Sequence, residues 1–115
     1  MITIEDISKE ILTVVSNFDF KEPIVKVGVF GSVSRNEQEK NSDVDLVIDY
    51  AYPKDMELAE KYVINYFELC HNIRKNFRKN YKKKVDIVEY QTLKYPENRI
   101  LKREVERDVI WLYGK

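Results

Sequence analysis

Apolar residues recur at Ile4, Ile7, Ile11, Val14, Val15 and Phe18, the three-and-four spacing of one helix face. Thr3 with Asp6 three positions on forms a capping-box pattern at the start, so an amphipathic helix is expected over residues 3–18. Asp19 to Pro23 ends it, because proline restricts the residue before it and cannot continue a helix. The period then shortens to two. In Ile24–Phe30 (IVKVGVF), Val25, Val27 and Val29 fall on one side and Lys26, Gly28 and Phe30 on the other, as in a first strand. Gly28 leaves the second side open, which predicts close approach of a ligand there. Ser32–Asn36 reads as a short helix and the polar stretch to Ser42 as a loop. Asp43–Tyr50 (DVDLVIDY) is a second strand, with Val44, Leu46 and Ile48 on one face and Asp43, Asp45, Val47 and Asp49 on the other. One face is expected to pack and the other to work.

Helical spacing returns in Met56, Ala59, Tyr62, Val63, Tyr66, Phe67, Cys70, Ile73, Phe77 and Tyr81, predicting a long helix over about residues 54–81 that covers the sheet. Val85–Tyr90 (VDIVEY) predicts a third strand, with Val85 and Ile87 opposite Asp86, Val88 and Tyr90. Pro96 suits the first turn of a further helix over 96–106. The closing VIWLY, within 107–113, reads as a short last strand in preference to a continued helix. The expected architecture is α/β (α+β): one domain over residues 1–115, with a mixed sheet of three to four strands flanked by helices.

Composition narrows the class. An apolar share of 43% with 12% aromatics can fill the core of one domain, and 115 residues are too few for two ordinary ones. Twenty basic and twenty acidic residues cancel, so the total charge gives no argument for nucleic acid, which is not expected as a direct ligand. Their distribution is uneven. Residues 37–60 hold eight acids against Lys40 and Lys54, whereas residues 71–84 hold seven bases and no acid. The basic tract reads as a solvated helix end favoured by the helix dipole, or as a docking surface for an acidic or phosphate-bearing partner. One cysteine, Cys70, cannot form an internal disulfide. With no charged-then-apolar leader and no run of some eighteen apolar residues, a cytoplasmic protein without a membrane span is expected.

The chemistry concentrates between Gly31 and Asp49. Asp43 and Asp45, two apart on a strand, point the same way with carboxylates about 6 Å apart; at an effective dielectric of about 20 their repulsion is roughly 3 kcal/mol. A cation relieves it, and hard oxygen donors select Mg²⁺ or Mn²⁺, which commonly combine one or two carboxylates with substrate phosphates. Asp86, if its strand lies beside the second, completes a three-carboxylate set, with Asp49 and Glu89 as competitors. Backbone N–H groups at the Gly31-Ser32 turn suit phosphate, Ser32 adds a hydroxyl, and Arg35 lies one turn on. Phosphate on one side and metal on the other describe a nucleoside triphosphate site for phosphoryl or nucleotidyl transfer. Asp-x-Asp alone is usually a strand end or turn cap. Joined as G-S-x10-D-x-D, the pattern arises by chance in only about one in several hundred chains of this length. Cys70 and His71 lack partners at metal-ligand spacing and read as a core thiol and a partly exposed imidazole.

Gly31-Ser32, Arg35, Ser42-Asp43, Asp45-Leu46 and Asp86 together resemble the minimal nucleotidyltransferases of the DNA polymerase β superfamily. The small size resembles the antitoxin members paired with HEPN-domain toxins. The resemblance implies a nucleotidyltransferase fold, Mg²⁺ on Asp43 and Asp45, ATP phosphates held at Gly31 and Ser32, and transfer of AMP to a tyrosine of a partner HEPN RNase toxin; Arg35 is expected to help orient the triphosphate, and Asp86 to complete the metal site and accept the attacking hydroxyl's proton. Many relatives place glycine after the arginine, where this chain has Asn36, a residue that accepts unusual backbone angles better than most. No stretch reads as a second, substrate-enclosing domain, so a partner is expected to complete the site. The rival readings are an antitoxin that neutralises by binding alone, and a nucleotidyltransferase for a small molecule or RNA end.

Overall fold

The computed structural model describes residues 1–114. Thr3 caps the first helix as the pattern requires: its Oγ1 accepts from Asp6 N–H at 3.0 Å, and Asp6 Oδ2 accepts from Thr3 N–H at 2.9 Å. That helix, α1, spans Ile4–Ser16. There follow β1 (Ile24–Phe30), β2 (Val44–Tyr50), α2 (Met56–Tyr81), β3 (Val85–Glu89), two 3-10 turns (Tyr90–Lys94 and Pro96–Asn98), α3 (Arg99–Asp108) and β4 (Ile110–Gly114). Asp55 caps α2, its Oδ1 accepting from Glu57 N–H and Leu58 N–H.

The strands form one mixed sheet in the order β3-β2-β1-β4. β1 runs antiparallel to β2 and β4, whereas β2 and β3, joined through α2, are parallel. The long crossover helix makes that parallel pairing possible. The alternation along β2 sorts two cores. Val44, Leu46, Ile48 and Tyr50 join Ile7, Ile11, Leu69, Ile73 and Phe77 beneath α1 and α2. On the other face Phe30 and Val47 meet Leu93 and Val105 beneath α3 and the first 3-10 turn. The second face therefore packs too. Only its end, at the start of β2 and β3, stays open, because α3 covers the middle. Among the described residues no helix is long and apolar enough to cross a membrane.

Four expectations are corrected. Residues 32–36 form successive turns, not a helix: Arg35 N–H bonds Gly31 O at 3.2 Å and Asn36 N–H bonds Val33 O at 3.1 Å, and Asn36 at φ 58° stops helical propagation. β3 ends at Glu89, since Thr92 Oγ1 donates to Glu89 O at 2.7 Å and draws Tyr90 into the 3-10 turn. A register shift between Ile24 and Lys26 turns Val25 outward to 42% exposure, away from Val27 and Val29. Gly28 faces no ligand: a Cβ there would lie 2.8 Å from Trp111 Cε3 and 2.8 Å from Val109 Cγ2. The missing side chain admits β4 and its approach, so Gly28→Ala should cost about 1–3 kcal/mol by overpacking. Urea unfolding checks this, and an unchanged midpoint would show that β4 shifts freely.

Candidate active site

Gly31 sits at the end of β1 with φ 76°, a left-handed conformation that side chains resist, and Ser34 Oγ holds the turn by donating to Gly31 O at 2.8 Å. A Cβ on Gly31 would overlap Asp45 Oδ2, so the turn backbone and that carboxylate are in direct apposition. The sheet register explains the placement. Phe30 pairs with Asp45 across the antiparallel ladder, and Asp45 pairs with Asp86 across the parallel one. On neighbouring strands in register, both carboxylates belong to one face.

The resulting cleft, about 440 Å³, is lined by Gly31, Ser32, Arg35, Asp45 and Asp86, with Leu101, Glu104 and Arg107 from α3 forming the opposite wall. Asp43 stands one residue before β2 and outside this lining, yet its charge is felt at Asp45. Burial first, then the charges of Asp86, Asp43 and Glu104, push the Asp45 carboxyl up to about 6, while Arg35 pulls it down. Among the described residues no three His, Cys, Asp or Glu side chains converge closely enough to cage a metal. The predicted three-carboxylate cluster is thus an in-register pair with Asp43 at its rim. Mutually repelling hard oxygens beside a phosphate-sized turn do fit Mg²⁺ held jointly with substrate oxygens. Lys83 Nζ steadies the approach to Asp43 by donating to Lys40 O at 2.8 Å and Ser42 O at 3.2 Å.

The competitors for the third carboxylate are engaged elsewhere. Asp49 is buried and accepts from Gln91 Nε2 at 2.8 Å. Glu89 lies on the α2 face near Tyr52 and Cys70. Cys70 is a buried core thiol, and His71 is exposed on α2.

Arg35 reaches the cleft in a way its position in the sequence does not show. Its Nη1 donates to Asp108 Oδ2 and its Nε to Glu37 Oε2 at 3.0 Å. Asp108, buried at the end of α3, also accepts from Arg107 Nε at 2.8 Å and Nη2 at 3.1 Å. The hydrogen bond from Arg107, with that from Arg35, holds its carboxyl below the usual range. A carboxylate at a helix C-terminus is unfavourable by itself, and the two guanidiniums compensate it. Asp108 thereby sets both arginines along the cleft. Glu104, Arg107 and Asp108 were absent from the sequence reading, since nothing in α3's periodicity links them to Arg35 across some seventy residues. Asp108→Asn should loosen both guanidiniums and raise the KM for nucleotide several-fold while changing kcat less. Steady-state kinetics test it, and an unaltered KM would confine Asp108 to a structural role.

The fold and the site have counterparts. The family model described as a nucleotidyltransferase domain matches residues 11–111. A provisionally named protein adenylyltransferase of Methanocaldococcus jannaschii is 30% identical over 96 residues, covering 80% of each chain. A solved structure, provisionally described as a minimal nucleotidyltransferase, superposes with a TM-score of 0.62 at 25% identity, covering 95% of both chains. A chain from the complex of tri-AMPylated Shewanella oneidensis HEPN toxin with MNT antitoxin superposes with a TM-score of 0.57 at 17% identity, covering 96% of this chain and 72% of that one. A model match of that extent, with the archaeal relative aligned across most of both lengths, makes this chain a member of the nucleotidyltransferase domain family.

Proposed function

We propose that the protein is a Mg²⁺-dependent adenylyltransferase that moves AMP from ATP to a tyrosine of a HEPN-domain RNase toxin and so serves as its antitoxin. The observation that carries this is the direct apposition of the Gly31 turn to Asp45, with Asp86 in register beside it. Similarity to a protein adenylyltransferase, and to a fold solved in complex with an AMPylated HEPN toxin, supports the acceptor.

In this reading the Gly31 and Ser32 backbone N–H groups and the Ser32 hydroxyl bind triphosphate oxygens. Arg35 keeps its bond to Asp108 and presents its remaining N–H groups to a phosphate, since a guanidinium carries five. Asp43, Asp45 and Asp86 would hold Mg²⁺, which supplies charge neutralisation for the triphosphate and the departing pyrophosphate. The acceptor oxygen bonds to the α-phosphorus as the bond to pyrophosphate breaks. Asp86, exposed on the edge strand, takes the hydroxyl proton.

The test is incubation with a purified HEPN partner, ATP and Mg²⁺, followed by intact mass. The expected result is one or more added AMP groups that persist after the proteins separate. An Asp43→Ala, Asp45→Ala double variant should still bind the partner but neither modify it nor protect cells at equal expression. Full protection by that variant with no mass added would hand the case to neutralisation by binding alone.

A further inference from the structure

The flank of α2 that faces away from both cores has a polarity that the nucleotidyltransferase chemistry does not use. Met56, Ile64 and Phe67 are 82%, 68% and 65% exposed, and Val63 is 40% exposed beside them. Their spacing places them on one stripe with exposed Glu60 on the N-terminal side and His71, Arg74 and Arg78 on the C-terminal side. The stripe is thus acidic at one end and basic at the other, with an apolar middle bordered by exposed Glu68. Among the described residues none of Glu57, Glu60, Arg74, Lys75 or Arg78 enters an ion pair. They cannot pair along their own helix, since Glu60 and Arg74 are about 21 Å apart at 1.5 Å per residue, beyond a Debye length at physiological salt. Two cations of this helix have further contacts: Lys61 Nζ lies 5.3 Å from the Phe20 ring, and Arg74 Nε donates to Val85 O at 3.4 Å.

We infer that this flank is a self-complementary docking surface for a second copy of the chain, with the two α2 helices antiparallel. A two-fold axis beside Phe67 sets Phe67 against its own copy, Ile64 against His71, Glu60 against Arg74 and Lys75, and Met56 and Glu57 against Arg78. Glu57 and Glu60 then each face a base, as an isologous interface requires of a surface that meets itself, and exposed Glu68 lies at the edge of the contact beside the axis, where solvent screens it. A parallel pairing would oppose like charges at both ends. The occupant is argued from this charge complementarity: a purely acidic partner would satisfy the basic end and leave Glu57 and Glu60 uncompensated. The nucleotide cleft lies on the opposite face of the sheet, so both copies keep it open.

Sedimentation equilibrium of the full chain tests the inference without reference to catalysis. The expected result is a monomer–dimer equilibrium reaching twice the chain mass, weakened by salt. Ile64→Glu with Phe67→Glu should give monomer with an unchanged circular dichroism spectrum. Glu57→Lys with Glu60→Lys should raise the dimer dissociation constant at least about tenfold. Adding Arg74→Glu and Arg78→Glu to that variant should restore dimerisation, because exchanging both ends recreates the complement. A wild-type chain that stays monomeric, including one that then binds an acidic protein through this flank, overturns the inference. Failure of the four-residue exchange to restore the dimer overturns the antiparallel register.

Discussion

Asp45→Asn should reduce nucleotidyl transfer by a factor on the order of 10³ or more and yet, in the absence of divalent cation, raise the melting temperature at neutral pH. Both effects come from one carboxylate. In the folded chain its pKa is pushed up to about 6 from an ordinary 3.8, by burial and by the negative charges around it. A raised acid is stabilising only while protonated, so its contribution is complete below about pH 4 and is lost as pH rises through 6. Above that the wild type carries a penalty that the asparagine variant lacks. The full shift would correspond to about 3 kcal/mol, but Asp45 is only half-buried, and solvent screening reduces it to about 1 kcal/mol, or roughly 4 °C in a chain of this size. Asp108 acts in the opposite sense. Its depressed pKa gives stability that is present above about pH 4 and lost as pH falls through the lowered value. The gap in melting temperature between wild type and Asp45→Asn should therefore open between pH 4 and 7, and Mg²⁺ should reverse its sign by stabilising only the wild type. Calorimetry at pH 4.5 and 7.5, with and without Mg²⁺, decides this. A variant that retains full transfer, or a pH-independent gap, would remove Asp45 from its role.

Gly31→Val is expected to be the most damaging single change at the turn. The residue occupies φ 76°, where a β-branched side chain costs about 1–3 kcal/mol, and its Cβ would take the place of Asp45 Oδ2. The carboxylate must then move, and displacement of a reacting group by about 1 Å can cost about 10²-fold in rate. A stability loss of about 3 kcal/mol with a hundredfold loss of transfer is the expected outcome. Ser32→Ala makes the useful contrast, because it removes one hydroxyl without disturbing the backbone and should weaken ATP binding by about 1 kcal/mol. Urea unfolding and ATP titration of the two variants separate the effects. Equal, negligible changes in ATP affinity would mean that phosphate does not rest on this turn.

Much of this architecture follows from local pattern. The Thr3–Asp6 cap, the alternation in Val44–Tyr50, the 3.6 period of α2 and the β-branched closing segment each carry a signal a few residues long, and these elements formed within one or two residues of their expected bounds; α3 starts three residues late behind a 3-10 turn, and the short helix expected at 32–36 gives way to turns. The Gly31-Ser32 turn and the shared facing of Asp43 and Asp45 were equally readable, because strand periodicity dictates facing, whereas the pairing of Asp86 with Asp45 waited on β3 lying beside β2. What sequence periodicity could not specify was anything set by contact between distant segments. Gly28 is small because Trp111 and Val109 pack over it, and Arg35 is aimed by Asp108 at the end of a helix formed seventy residues later. The second sheet face was taken as wholly functional, yet α3 buries Val47 at its centre and leaves chemistry only at the open end. Local rules choose the elements and their faces, because propensity and periodicity act over a turn or a pleat. Only packing between elements decides which part of a face is covered, and therefore where a substrate can enter.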